Sequence, residues 1–133
     1  MLKLMIGKGL LGENIQGYDE EQLLKKKAFH RDGKKFLASL ATVLGLNPSA
    51  YEIRSNMAGP AVSGEVTLHA DHLYVQLGEF STRRGVSILY RSCKDRKDYT
   101  GGHNNFGFCA ELKDSATQER FLKHCARLMA DAA

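Results

Sequence analysis

The spacing of apolar residues changes twice along this chain, and this change restricts the folds it can adopt. In residues 65–69 and 72–77 apolar and polar side chains alternate, which is typical of strands with one buried and one wet face. In 19–44 and 115–129 the apolar residues recur every three or four positions, as on the buried side of a helix. A length of 133 residues suits one domain, so we expect a single α+β domain over the whole chain.

The first helical stretch has start and stop signals. Asp19 is followed by two glutamates, where a helix N-terminus favours acids, and Gly45 and Pro48 end the stretch. Gly33 predicts a division into two helices, although a single long helix with Gly33 on its buried side also fits the spacing. Residues 1–17 precede this stretch and are expected to form a flexible or irregular segment.

The two alternating segments are predicted to pair as a hairpin. A two-residue loop at 70–71 places His69 opposite His72 and Leu68 opposite Leu73. Every pair in this register agrees in character, apolar with apolar and polar with polar. Both histidines are then expected on the polar face of the hairpin.

Three further strands and a closing helix complete the predicted fold. The strands are expected near 51–53, 86–93 and 106–111, and a capping-box pattern at 115–118 starts the last helix. The fold class is therefore α+β, an antiparallel β-meander of three to five strands with the N-terminal and C-terminal helices packed on one face. The other face is left at least partly open, and functional residues are expected there or in the loops.

Positive charge is concentrated in two windows of the sequence. Residues 25–35 and 83–97 hold twelve of the nineteen Lys and Arg, against only Asp32 and Asp95. Segregated charge of this kind favours an anionic partner because it raises the local potential and the association rate. If the fold brings the two windows together, they form one basic patch suited to nucleic acid or to an acidic protein.

The second window leads into the strongest candidate site, a long loop between the last two strands. Its cations would contact phosphates while Tyr99 or Phe106 stacks on a base and Asn104 or Asn105 reads a base edge. The predicted nucleic-acid-binding residues are Arg83, Arg84, Arg91, Lys94, Arg96, Lys97, Tyr99, His103 and Asn104. The alternative is a solvated loop whose Gly and Asn residues only serve turns.

A second candidate surface is the polar face of the hairpin. His69, His72, Tyr74 and Gln76 would contact a protein partner there, in an interaction module or inhibitor that is a monomer or a homodimer. The two imidazoles would hold a metal only if a third ligand arrived from elsewhere in the fold. The spacing does not require that ligand, so no metal site is predicted.

The same loop also permits a metal-dependent phosphodiesterase, as a third hypothesis. Asp95, Asp98 and His103 would position a metal or activate water. The alternation of the two aspartates with Lys and Arg is typical of local charge compensation instead, and a spaced second histidine is missing from this run. No catalytic residue is therefore predicted.

Two further patterns receive no function. Residues 7–12 match GxGxxG, but no long apolar helix and second parallel strand follow, so neither a dinucleotide nor another cofactor is predicted. Cys93, Cys109 and Cys125 lack CxxC spacing and are expected to be reduced and mostly buried.

The apolar start of the chain is too short for a signal peptide or a membrane span, so a cytoplasmic location is expected.

The run 94–106 resembles segments of uncharacterised small proteins from bacterial phages and mobile elements. This resemblance implies neither a fold nor an activity. The residues themselves favour a small non-catalytic binding protein, with nucleic acid as its first expected partner and a protein as the second.

Overall fold

A computed structural model describes residues 4–13, 15–59, 62–80, 85–99 and 101–133 of the chain. Within these residues the regular elements are α1 (Glu20–Val43), β1 (Tyr51–Asn56), β2 (Glu65–Ala70), β3 (Leu73–Gly78), β4 (Ser87–Arg91), β5 (Asn105–Phe108) and α2 (Ser115–Ala132). Short 3-10 turns occur at Lys8–Leu10, Pro48–Ala50 and Cys109–Lys113. The strands form one antiparallel sheet in the order of the chain.

Both helices pack on the same face of the sheet. Gly33 of α1 lies against Val66 and Leu77, and Phe121 of α2 lies against Tyr90, with ring centroids 5.0 Å apart. The strand register places Val66, Leu77 and Tyr90 on one side, which we call the covered face. We call the other side the open face, and its residues include Glu52, Arg54, Thr67, His69, Tyr74, Gln76, Leu89, Arg91, Phe106 and Phe108. The predicted α+β meander with helices on one face is confirmed.

Helix α1 continues through Gly33 without a break, so the predicted division into two helices is wrong and the single-helix alternative is correct. A Cβ atom at Gly33 would lie 3.1 Å from Cγ2 of Val66. The missing side chain therefore lets α1 approach β2 closely, and this packing outweighs the cost of about 1 kcal/mol that glycine has in a helix. Gly45, with φ of +76°, then ends the helical region in the left-handed conformation.

The register of the β2–β3 hairpin differs from the predicted one. Ala70 lies opposite Leu73, and Leu68 lies opposite Val75, so the two-residue loop is Asp71–His72. The predicted partner of Leu68 is wrong by two positions, and a shift of two leaves every side chain on its own face. The alternation therefore could not distinguish the two registers. The turn decides, because His72 adopts a φ of +74°, which histidine tolerates better than most residues.

Helix α2 begins one residue earlier than the predicted capping box. Asp114 is the N-cap, and its carboxylate accepts from the backbone N–H of Thr117 at 3.0 Å and from the Thr117 hydroxyl at 2.7 Å. These hydrogen bonds lower the pKa of Asp114. Ser115 is consequently the first helical residue and not the cap.

The described residues of the N-terminal segment are irregular apart from a 3-10 turn, and they pack on α1. Leu10 and Ile15 are fully buried in the core. A Cβ atom at Gly9 would lie 2.4 Å from the carbonyl oxygen of Ala28, and the Gly9 N–H donates to Asp32 at 2.8 Å. Gly7 and Gly9 of the GxGxxG match therefore permit close contact with α1, and the Asp32 carboxylate accepts the Gly9 N–H that a phosphate would use.

Two further expectations concern the state of the cysteines and a membrane span. Cys93, Cys109 and Cys125 are all buried and unpaired with one another, as predicted, and burial raises the pKa of Cys109 and of Cys125 to about 12. Neither of the two described α-helices has a stretch apolar enough to span a bilayer.

A candidate binding surface on the open face

The structure brings residues from the two predicted surfaces into one cluster on the open face. Tyr99, from the loop between β4 and β5, lies over His69 with ring centroids 6.1 Å apart. His69 contacts the Tyr74 ring edge-on at 5.4 Å, and the guanidinium of Arg91 lies 4.4 Å from the centre of that ring. We call His69, Tyr74, Arg91 and Tyr99, together with Arg54, the aromatic–basic cluster. Loop and hairpin thus form one surface.

His69 is a buried, neutral member of this cluster. Its Nε2 atom lies 2.8 Å from the hydroxyl of Thr67, which is also buried. Burial lowers the pKa of His69, and the positive charge of Arg54 lowers it further. The imidazole therefore carries no charge at neutral pH and contributes an apolar ring rather than a cation to the surface.

Arg91 has a structural task that the sequence did not reveal. Only 6% of the residue is exposed, and Nη1 donates a hydrogen bond of 2.6 Å to the carbonyl oxygen of Gly101. Together with the stacking on Tyr74, this bond fastens the β4–β5 loop to the sheet. The predicted phosphate contact of Arg91 would require the guanidinium to leave both partners.

The opposite side of the loop is fastened by Arg96. Its backbone N–H donates to Asp71 at 3.2 Å, its Nε lies 3.9 Å from the same carboxylate, and its Nη2 donates to the carbonyl oxygen of Ser49 at 3.0 Å. Arg96 therefore holds the loop against the β2–β3 turn. Of the predicted cations, Lys94 and Lys97 lie exposed on the outside of this loop.

The remaining predicted loop residues and His72 lie in different places. His103 and Asn104 are exposed beyond the Gly101–Gly102 pair. His72 lies in the β2–β3 turn, and its buried Nδ1 has no hydrogen-bond partner among the described residues. Arg83 and Arg84 lie outside the described residues.

Arg54 was missed by the sequence analysis, although it belongs to the cluster. Its Nε and Nη2 each donate to the carboxylate of Glu52 at 3.1 Å, and its side chain also hydrogen-bonds Tyr99. These contacts raise the pKa of Arg54 and lower that of Glu52. Tyr51 and Ile53 alternate with Glu52 and Arg54 in the sequence, so this alternation could have placed Arg54 on the polar side of β1.

The other end of the open face is apolar. Phe106 of β5 is 65% exposed, and Phe80, which follows β3, is also exposed. A cavity of about 200 Å³ lies between them, lined by Phe80, Ser87, Phe106, Gly107 and Phe108. A row of side chains crosses the sheet and joins the two ends of the open face. Each member lies opposite the next one in the neighbouring strand, in the order Arg54, Thr67, Gln76, Leu89 and Phe106. At the usual strand spacing this row is about 19 Å long.

The two basic windows do not meet within the described residues. Lys26 of α1 donates to the carbonyl oxygen of Gly59, in the β1–β2 connection, whereas Arg96 contacts Asp71 at the opposite end of β2. A six-residue strand separates these ends by about 17 Å. Arg91 of the second window lies on the open face, whereas α1 packs on the covered face.

The described residues contain no group of three or more His, Cys, Asp and Glu side chains that could hold a metal ion. Asp98 accepts the backbone N–H of Lys94 at 3.0 Å, and Asp95 accepts that of Lys97 at 2.8 Å. These carboxylates therefore shape the loop.

The open face thus combines a basic, aromatic end with an apolar one. Comparison of the chain with protein-family models, with curated proteins and with solved structures found no match.

Proposed function

We propose that the protein binds single-stranded nucleic acid across the open face of its sheet. The observation that carries this proposal is the exposure of two aromatic side chains on that face, Tyr99 at 57% and Phe106 at 65%. Every base has a π-face, so an exposed ring can stack on it whatever the sequence, and such stacking contributes about 1–3 kcal/mol per base. Neither helix covers these rings.

The charges around the open face suit a phosphate backbone. Lys94 and Lys97 are exposed on the loop that carries Tyr99, and the exposed His103 and Asn104 follow it. Arg54 places a further guanidinium beside Tyr99, although Glu52 already accepts two hydrogen bonds from it. Phosphates would thus contact the rim of the surface while bases stack on its rings.

Fluorescence anisotropy of labelled oligonucleotides tests the proposal. A single-stranded 12-mer should bind more tightly than the same sequence as a duplex, and the affinity should fall between about 50 and 200 mM salt because counterions are released. Tyr99→Ala should weaken binding by at least about fivefold, the lower end expected for one lost stack. Replacement of Lys94 and Lys97 by Ala should lower the salt dependence.

Tyr18→Ala is the matched control, because Tyr18 is also exposed but lies just before α1, away from the open face. Its affinity should equal that of the wild type. Absence of binding at the lower salt, or equal losses in Tyr18→Ala and Tyr99→Ala, would contradict the proposal.

The apolar end of the open face favours a second candidate function, interaction with a protein or with a second copy of this chain. Phe80 and Phe106 flank an apolar cavity, and exposed apolar groups that adjoin each other often mark protein contacts. Sedimentation equilibrium of wild type and Phe106→Ser separates this candidate from the first. A dimer that Phe106→Ser abolishes supports it, and a monomer in both proteins excludes self-association through this end.

A further inference from the structure

A second constellation of reactive groups lies on the covered side of β1. His30 of α1 is 4% exposed, and both of its ring nitrogens have partners. Nδ1 lies 2.8 Å from the hydroxyl oxygen of Ser55, and Nε2 lies 2.9 Å from the carbonyl oxygen of Ser63. A hydroxyl, an imidazole and a third group that orients the imidazole therefore form a continuous chain.

The carbonyl decides which nitrogen of His30 carries the proton. A carbonyl oxygen has no proton to give, so Nε2 must donate to Ser63. In the neutral ring Nδ1 then holds the lone pair and accepts the hydroxyl proton of Ser55. This is the arrangement of an activated nucleophile: a serine within hydrogen-bond distance of a base whose orientation is set by another group.

The groups that orient His30 are themselves held in place. Ser63 is buried; its hydroxyl donates to the carbonyl oxygen of Gly64 at 2.8 Å and accepts the backbone N–H of Glu79 at 3.0 Å. The His30 ring also packs edge-on against Phe29, with centroids 4.8 Å apart. Ser55, in contrast, is exposed on an edge strand. The base is thus fixed and buried while the nucleophile can be reached from solvent.

The surroundings keep His30 uncharged. Burial lowers the pKa of His30, and the charges of Lys26 and Lys34 on the same helix lower it further, although the hydrogen bond to Ser63 opposes them. Among the described residues of β1 and of the β1–β2 connection, the groups that contact the ring are the uncharged Ser55 hydroxyl and the Ser63 carbonyl. Lys26 is only 3% exposed, and its Nζ donates to the carbonyl oxygen of Gly59.

We propose that Ser55 is the nucleophile of a second site, which hydrolyses carboxylic esters with His30 as its general base. Ser55 Oγ attacks the carbonyl carbon of the ester and forms a new C–O bond, while its proton moves to Nδ1 of His30. The bond to the leaving alkoxide then breaks, and the alkoxide takes the proton from Nδ1. Water repeats both steps on the acyl-serine, which releases the carboxylic acid and restores Ser55. This activity is independent of nucleic-acid binding on the open face.

Two probes test the proposal on the full chain. Diisopropyl fluorophosphate should modify Ser55 with loss of fluoride, as located by peptide mass spectrometry, and p-nitrophenyl acetate should be hydrolysed. Ser55→Ala should abolish both reactions. His30→Gln should slow modification of Ser55 by about 100-fold or more, the usual contribution of a positioned base. Circular dichroism shows whether each variant is folded.

Ser49→Ala provides the matched control. Ser49 is also an exposed serine, but its hydroxyl donates to the side chain of Asn47 instead of a histidine. This variant should react like the wild type. The wild-type modification rate should also rise with pH through the titration of His30 and reach a plateau by neutral pH. An unmodified Ser55, or a rate unaffected by His30→Gln in a folded variant, would overturn the proposal.

Discussion

The side chains on the two faces of the sheet are shielded from solvent in different ways. On the covered face the helices α1 and α2 bury an apolar row that includes Leu68 and Val75. On the open face Thr67 and His69 are almost as deeply buried, although neither helix covers them. There the side chains of neighbouring strands and Tyr99 close over them, through hydrogen bonds and ring contacts. Burial on a sheet therefore does not require a second layer, and each face should respond differently to substitution.

The largest difference between the faces is expected for leucine truncation. Leu68→Ala removes a fully buried side chain under α1 and should lower the free energy of unfolding by about 3 kcal/mol. Leu89→Ala removes a half-buried side chain on the open face and should cost about 1 kcal/mol. Urea denaturation measures both values. Equal losses would show that the open face is as closely packed as the covered one.

Arg91→Met should have the next largest effect, because it removes the group that fastens the β4–β5 loop. Loss of the bond to Gly101 and of the stacking on Tyr74 should cost about 2 kcal/mol, as for other hydrogen bonds from charged groups. Arg96→Met is the control, since its exposed side-chain contacts with Asp71 and Ser49 should together contribute about 1 kcal/mol or less. A larger loss in Arg96→Met would place the main attachment of the loop at the β2–β3 turn instead.

A smaller effect is expected for Thr67→Val, which keeps the shape of the side chain and removes its hydroxyl. The Nε2 atom of His69 then loses its partner in a buried position, at a cost of about 1 kcal/mol in the free energy of unfolding. Thr42→Val tests the same change at an exposed helical position, where little loss is expected. If both variants lose the same free energy of unfolding, the Thr67–His69 bond does not stabilise the open face.

The smallest expected change is a pH dependence of stability. Burial lowers the pKa of His69 and of His30, one on each side of the sheet, below the ordinary value of 6.5. The unfolded chain therefore binds more protons just below pH 6.5, so the free energy of unfolding should decrease as the pH falls through this range. His69→Gln should therefore reduce the slope. A slope unchanged in His69→Gln would show that His69 is not protonated on unfolding.

The order of the elements could be predicted because periodicity is a local property. The alternation in 65–77 identified the hairpin, and the helical spacing in 19–44 identified α1. The break at Gly33 was wrong because a glycine in a helix is costly unless another element approaches it, and that neighbour, Val66, is distant in the sequence. For the hairpin, two registers satisfied the same pattern, and only the turn distinguished them.

The candidate site was predictable in composition and not in arrangement. The sequence marked Arg91 and Arg96 as phosphate-binding cations, but in the structure both hold the loop in place. Charge can be counted from a sequence, whereas the partner that neutralises or orients it depends on the path of the chain. The opposite error concerns Arg54, which the sequence did not mark as a site residue. It lies far from both basic windows along the chain, yet its side chain hydrogen-bonds Tyr99.

The sequence by itself determined the fold class, the two helical stretches, and which side chains of β2 and β3 face the core, because each depends on spacing over a few residues. Tertiary structure alone decided which distant groups meet: Tyr99 with His69 on one side of the sheet, and Ser55 with His30 on the other. The members of each pair are at least 25 residues apart. Such contacts depend on strand register and on the direction of a loop, which local periodicity does not encode.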